Sequence, residues 1–346
     1  MKLINLMFII LGLILLSCTQ TEKVINPVSD SMKYFISVNS STPQLKVVEL
    51  PSQNVIYEDF FADVIKQTLT NPVENIKEFN GSYFIFVSKS YKIYIVKKSD
   101  LTLQTTIDFS DEQFEPTDIV FANSTDGYIV HRNSVYLTLL DLTNYVKARK
   151  VTVGNPPHQI AVSGNQILVT NLPDNTLSVV DSREKKEVEK IPTEPNPVFI
   201  NITADEKTVV CVCAGRGKIN ISEEKSPAII QYFNIETRKQ VASQELGFAA
   251  ISATDQNPQG LVVTPKDWGF IPTDANFLRA DIRTKDKINL ITKRFFYFIN
   301  YDEKNSRLLL LREVDNRTDV MFADENSGDI GDFFSFPYKI KFVSTY

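Results

Sequence analysis

The stretch PHQIAVSGNQILVTNLPDNTLSVVD, residues 157–181, decides the fold. An apolar run, Ile160 to Val162, meets a turn at Ser163-Gly164-Asn165. A second run, Ile167 to Thr170, stops at Asn171, and a third, Thr176 to Val180, stops at Asp181. Short apolar runs bounded by turn-forming residues signal antiparallel strands. Outward from this stretch the layout returns about every forty residues, the period of a β-propeller blade.

The neighbouring units open at Pro72, Pro116 and Pro197. Two looser units follow, with opening strands at Gly260 to Val263 and Phe295 to Asn300. The first unit, from Met32, holds Tyr34 to Val38, Gln44 to Leu50 and Val55 to Phe61, and has no opening strand. The segment PYKIKFVS, residues 337–344, looks like an opening strand without a unit. The expectation is an all-β chain: a seven-bladed β-propeller of four-stranded antiparallel blades, closed by the C-terminal strand completing the first blade. Closure removes the exposed edges that an open sheet presents. Asp141, Asp181, Asn234, Asp281 and Asp324 begin the turns between third and fourth strands, where Asp and Asn bond their own backbone, so they read as structural. Second strands such as Phe84-Ile85-Phe86-Val87 are apolar on both faces and should lie between neighbouring blades. A helical turn is expected at Ala62 to Gln67.

At 346 residues and 43% hydrophobic content the chain can bury a large core. A net charge of −5 gives no general attraction to nucleic acid. Cys211 and Cys213 share one strand face and read as small core residues, badly placed for a disulfide with each other.

Residues 1–17 read as an export signal: Lys2 supplies a positive start, and Leu6 to Leu16 is almost purely apolar but short for a membrane span. The ending Leu15-Leu16-Ser17-Cys18 resembles a bacterial lipobox, which implies that Cys18 is lipidated and becomes the first mature residue. Residues 18–31 then form the lipidated cysteine and a polar tether, and 32–346 the propeller. The implied partner is a membrane, through the anchor at Cys18. The implied location is the bacterial cell envelope, on the periplasmic side or the cell surface.

Leu168-Val169-Thr170-Asn171, preceded by His158-Gln159-Ile160-Ala161 and followed by Ser178-Val179-Val180-Asp181, resembles the Tyr-Val-Thr-Asn (YVTN) repeat family of bacterial extracytoplasmic proteins. Leu168 stands where the family has tyrosine. The resemblance implies an exported seven-bladed propeller, often surface-attached, with varied functions. Lactonase-like and quinone- or haem-linked relatives share the architecture, so the fold does not settle the activity.

Propeller topology puts the loops from strand two to three, and from strand four to the next blade, on one face. That loop face is expected to hold the ligand-binding residues Asn39, Lys89, His131, Arg132, His158, Asn171, Arg216 and Arg312, with a protein or small molecule as partner. The insertions Ala214 to Pro227 and Gly247 to Pro258 are expected there too. No catalytic residue, metal or cofactor is implied. Two histidines in separate blades exclude a three-histidine zinc site and give a Ser-His-Asp triad little support. Gly215-Arg216-Gly217-Lys218 lacks the spacing of a phosphate-binding loop. Asp324, Asn326, Gly328, Asp329 and Asp332 could offer oxygens to calcium but occupy a standard turn. The leading expectation is an envelope-anchored binding or assembly scaffold. A lactonase-like hydrolase using His131 or His158 is the alternative, and a nucleic-acid-binding propeller the second.

Overall fold

A computed structural model describes residues 32–216, 226–247, 260–273 and 275–346. These residues form seven four-stranded antiparallel sheets in a ring, so the chain is a seven-bladed β-propeller. The core of both expected insertions lies outside the described residues.

The stretch that decides the fold becomes most of blade 4. Its strands, Pro157–Ser163, Gln166–Asn171, Thr176–Asp181 and Lys186–Pro192, pair in sequence order. Gly164 has φ of +51°, the left-handed conformation the first hairpin needs. The last turn is held by Asp181, whose Oδ1 accepts the Arg183 and Glu184 N–H groups at 2.8 and 3.0 Å. Asp141, Asn234, Asp281 and Asp324 hold the equivalent turns in the same way. These side-chain oxygens are therefore spent on structure, and Asp324 is engaged by its own backbone rather than set in an open oxygen cage.

Burial follows position within a blade. The second strand of blade 2, Ser82–Val87, is buried throughout, as expected for a strand with a blade on each side. The outer strand of blade 3, Val146–Thr152, is buried only at Val151. The core is therefore a set of seams between blades. One apolar cluster joins blades 2 and 3 through Phe84, Ile95, Ile119 and Leu140, and another joins blades 4 and 5 through Leu168, Val179, Val209 and Phe233. Cys211 and Cys213 belong to the latter seam. Both are free and buried, with their Sγ atoms 4.0 Å apart. The contact with Cys213, together with burial, pushes the Cys211 thiol well above its ordinary pKa, which keeps it protonated.

Ring closure occurs as expected. The C-terminal strand Ile340–Thr345 pairs antiparallel with Met32–Val38, completing blade 1 with Gln44–Leu50 and Asn54–Tyr57. A single cluster runs through blades 7, 1 and 2, including Phe35, Phe60, Tyr83, Leu309, Phe322 and Phe342.

Two local expectations change. The helical turn is a single π-turn, Phe61–Ile65, begun by Asp59 Oδ1 accepting the Phe61 N–H at 3.1 Å and ended at Lys66 with φ of +61°. It buries Phe61 and Ile65 in the cluster joining blades 1 and 2. The inner strand of blade 6 shrinks to Val262–Val263. Gly260 lies against the Phe199 ring so closely that a Cβ would stand 2.1 Å from its Cε2.

Candidate functional site: the central channel

The expected loop-face residues divide into three groups. Asn39, Lys89 and Arg216 are exposed. Arg132 and Arg312 are ion-paired: Arg132 bridges Glu74 and Glu115 at 3.0 and 3.2 Å, tying blade 2 to blade 3, and Arg312 meets Asp319 at 3.4 Å within blade 7. His131 and Asn171 are fully buried, and His158 is half-buried. None of the eight lines the cavity described below.

His131 and Asn171 occupy the same place in successive blades, each opposite the proline that opens its blade. His131 Nε2 lies 2.9 Å from Thr138 Oγ1, and Asn171 Nδ2 donates to Ser178 Oγ at 2.9 Å. Ser178 Oγ accepts the Gly154 N–H at 3.1 Å, in the connection arriving from blade 3. Blade 5 repeats the device with Cys213 Sγ, 3.3 Å from Gln231 Oε1, which accepts the Glu194 N–H at 2.8 Å. Each pair links the end of the second strand to the third strand, and in blades 4 and 5 it also satisfies a backbone donor of the incoming chain. Thr170 works beside Asn171: its Oγ1 accepts the Gln159 N–H at 2.9 Å, where the inner strand bulges. The Thr170-Asn171 pair is thus a backbone fastener.

His131 sits against the rings of Phe109 and Phe114, at centroid distances of 4.8 and 5.1 Å. Burial, helped by Lys150 and Lys147, holds its pKa down at about 3. At neutral pH it is an uncharged imidazole sealed from solvent.

One cavity lies at the opposite end of the ring. The inner strands enclose a channel whose lower part holds a cavity of about 480 Å³, opening among the hairpins that join first to second strands. Blades 4, 5 and 6 supply an apolar wall of Ile160, Val162, Ile200, Leu261 and Val263. Blades 2, 3, 5 and 7 supply polar groups: Lys77, Asp118, Asn201 and Asn300. Glu206 and Glu303, both exposed, stand at the rim.

The polar groups are tied to the backbones around them. Asp118 Oδ1 accepts Asn75 Nδ2 and its own neighbour's Ile119 N–H, both at 2.8 Å, and stands 3.4 Å from Lys77 Nζ. Gln159 Oε1 accepts the Ile200 N–H at 3.2 Å, and Asn300 Nδ2 donates to Val343 O at 3.3 Å. These contacts run from one inner strand to the next, so the groups that hold the ring shut also line the channel. Asn201 Oδ1 accepts the Ile202 N–H at 2.8 Å. Sequence reading passes over these residues because each is a single polar residue in an apolar strand. A polar residue recurring in opening strands, as at Asn75, Asp118, Gln159, Asn201 and Asn300, is the signal that could have found them.

Among the described residues no group of three or more His, Cys, Asp or Glu side chains is arranged to hold a metal ion. No described helix is long and apolar enough to cross a membrane.

No family model and no curated protein matches the chain. Among solved structures it is similar to Kuenenia stuttgartiensis hydrazine synthase, with 15% sequence identity and a TM-score of 0.56, the match covering 70% of this chain and 73% of that one. That likeness is one of fold: both chains carry a propeller-like ring of blades.

Proposed function

We propose that the protein is a lipid-anchored propeller of the YVTN-repeat kind that acts as a binding or assembly scaffold in the bacterial cell envelope. The observation that carries this reading is Leu15-Leu16-Ser17-Cys18 at the end of an apolar signal core, followed by a polar segment leading into the first strand at Met32. Two or more acyl chains hold a protein at a membrane far more firmly than one. The closed ring supports the scaffold half of the reading, because a rigid body with its backbone paired internally presents a fixed surface to a partner. Metabolic labelling with palmitate tests the anchor. The full chain should incorporate label and sediment with membranes, and Cys18→Ala should lose both. Label that persists in Cys18→Ala would refute it.

A further inference from the structure

We propose that the lower channel is a binding site for a neutral, polyhydroxylated small molecule of mono- or disaccharide size. This rests on the binding half of the function proposed above and not on the lipid anchor. Three features of the cavity carry it.

Its volume, about 480 Å³, lies within the range of small-molecule sites. Its wall is mixed: the part-exposed Val162, Ile202 and Val263 line it together with Lys77, Asp118, Asn201 and Asn300. A sugar ring has the matching character, with a C–H face for the apolar side chains and hydroxyls at its edge for the polar ones.

Inside the cavity the charges are compensated, because Lys77 is paired with Asp118 at 3.4 Å. The two remaining carboxylates, Glu206 and Glu303, stand exposed at the rim, where water screens them. What the wall offers is therefore hydrogen bonding rather than an unbalanced charge. Hydroxyls, which donate and accept at once, satisfy such a wall, whereas an ion would lose its hydration without gaining a counter-charge.

The polar groups are also fixed in place. With Oδ1 of Asn201 held by the Ile202 N–H, its Nδ2 is a donor of set direction with no partner among the described residues. A group already immobilised loses little freedom when a ligand arrives.

Saturation-transfer difference NMR on the full chain, in a detergent without a sugar head group, tests the site. Glucose, sucrose and trehalose are the probes, with spermidine and glucose 6-phosphate as ionic counter-probes. At least one of the three sugars should show saturable transfer to its ring protons. Asn201→Leu, which removes the oriented donor, should weaken binding about tenfold. Ala161→Trp, which places an indole in the cavity, should abolish it. Thermal melting of both variants checks that the ring is intact. Absence of binding by all three sugars, undiminished binding in both variants, or binding of an ionic probe alone would overturn the proposal. None of these outcomes alters palmitate labelling at Cys18, so the two proposals fail separately.

Discussion

His131 shows how placement reverses a residue's meaning. In the sequence it ends an apolar strand beside Arg132, where a solvent-facing base would be read. In the ring it is enclosed by Phe109 and Phe114, with Nε2 engaged by Thr138. Its folded pKa lies below the ordinary histidine value of 6.5, at about 3. The unfolded chain therefore binds one more proton than the folded chain between these values, and stability falls as pH drops through the window. Urea unfolding should show about 2 kcal/mol less stability at pH 5 than at pH 7 from this residue alone. His131→Asn, which installs the residue that blade 4 uses, should remove that difference. An unchanged pH dependence in the variant would assign the loss to other groups.

At the scale of the element, the joint between the last and first blades carries a buried polar network. Asp302, fully buried in the first hairpin of blade 7, accepts Tyr34 OH at 2.8 Å, Arg307 Nε at 3.1 Å and Asn305 Nδ2 at 2.7 Å. Arg307 also donates to the Tyr34 hydroxyl and lies over the Phe322 ring at 4.0 Å. Tyr34 is on the second strand of blade 1, so the network fastens the N-terminal strand to the C-terminal blade. Burial and the nearby Asp302 carboxylate keep the Tyr34 hydroxyl protonated far above its usual range. Asp302→Ala should cost about 3–5 kcal/mol, because it leaves a buried guanidinium unpaired. Tyr34→Phe should cost about 1 kcal/mol, since Arg307 and Asp302 keep each other. Chemical denaturation of both variants measures the contrast, and equal losses would show that the carboxylate–guanidinium pair is not the fastener.

For the whole molecule, the ring fixes which face holds the chain's entry. Met32 pairs with Leu50 just before the last turn of blade 1 and touches Arg307, so the chain enters on the hairpin face, where the cavity also opens. The loop face, with Asn39, Lys89 and Arg216 exposed, lies opposite. The turn carboxylates give the molecule a common acid response. Asp141, Asp181, Asp281 and Asp324 all have pKa values below the ordinary carboxylate range because backbone and side-chain N–H groups bond the charged form. Their stabilisation is present above the unfolded pKa and is lost as pH falls through the folded one. Asp267, raised by burial and the nearby Asp205, works in the opposite sense. The thermal midpoint should therefore hold steady from about pH 7 to 8, decline from pH 6.5 downward as His131 acts, and drop more steeply below pH 4. A midpoint independent of pH down to 4 would contradict this order.

The sequence by itself determined the blade count, the strand order, the closing strand and the turn aspartates. All depend on local periodicity and turn chemistry, which neighbouring residues carry. Pro157–Asp181 is sufficient for that, because one blade repeats the rule for all. Only the tertiary structure decided which polar residues meet solvent. Asn171 ends a second strand and Arg216 follows one, yet the first is sealed beneath the Gly154 connection and the other is exposed. The channel was equally out of reach, because Lys77 and Asp118 belong to different blades and meet only when the inner strands stand side by side. Burial and charge pairing are set by whichever strand packs alongside, and in a closed ring that strand comes from another blade.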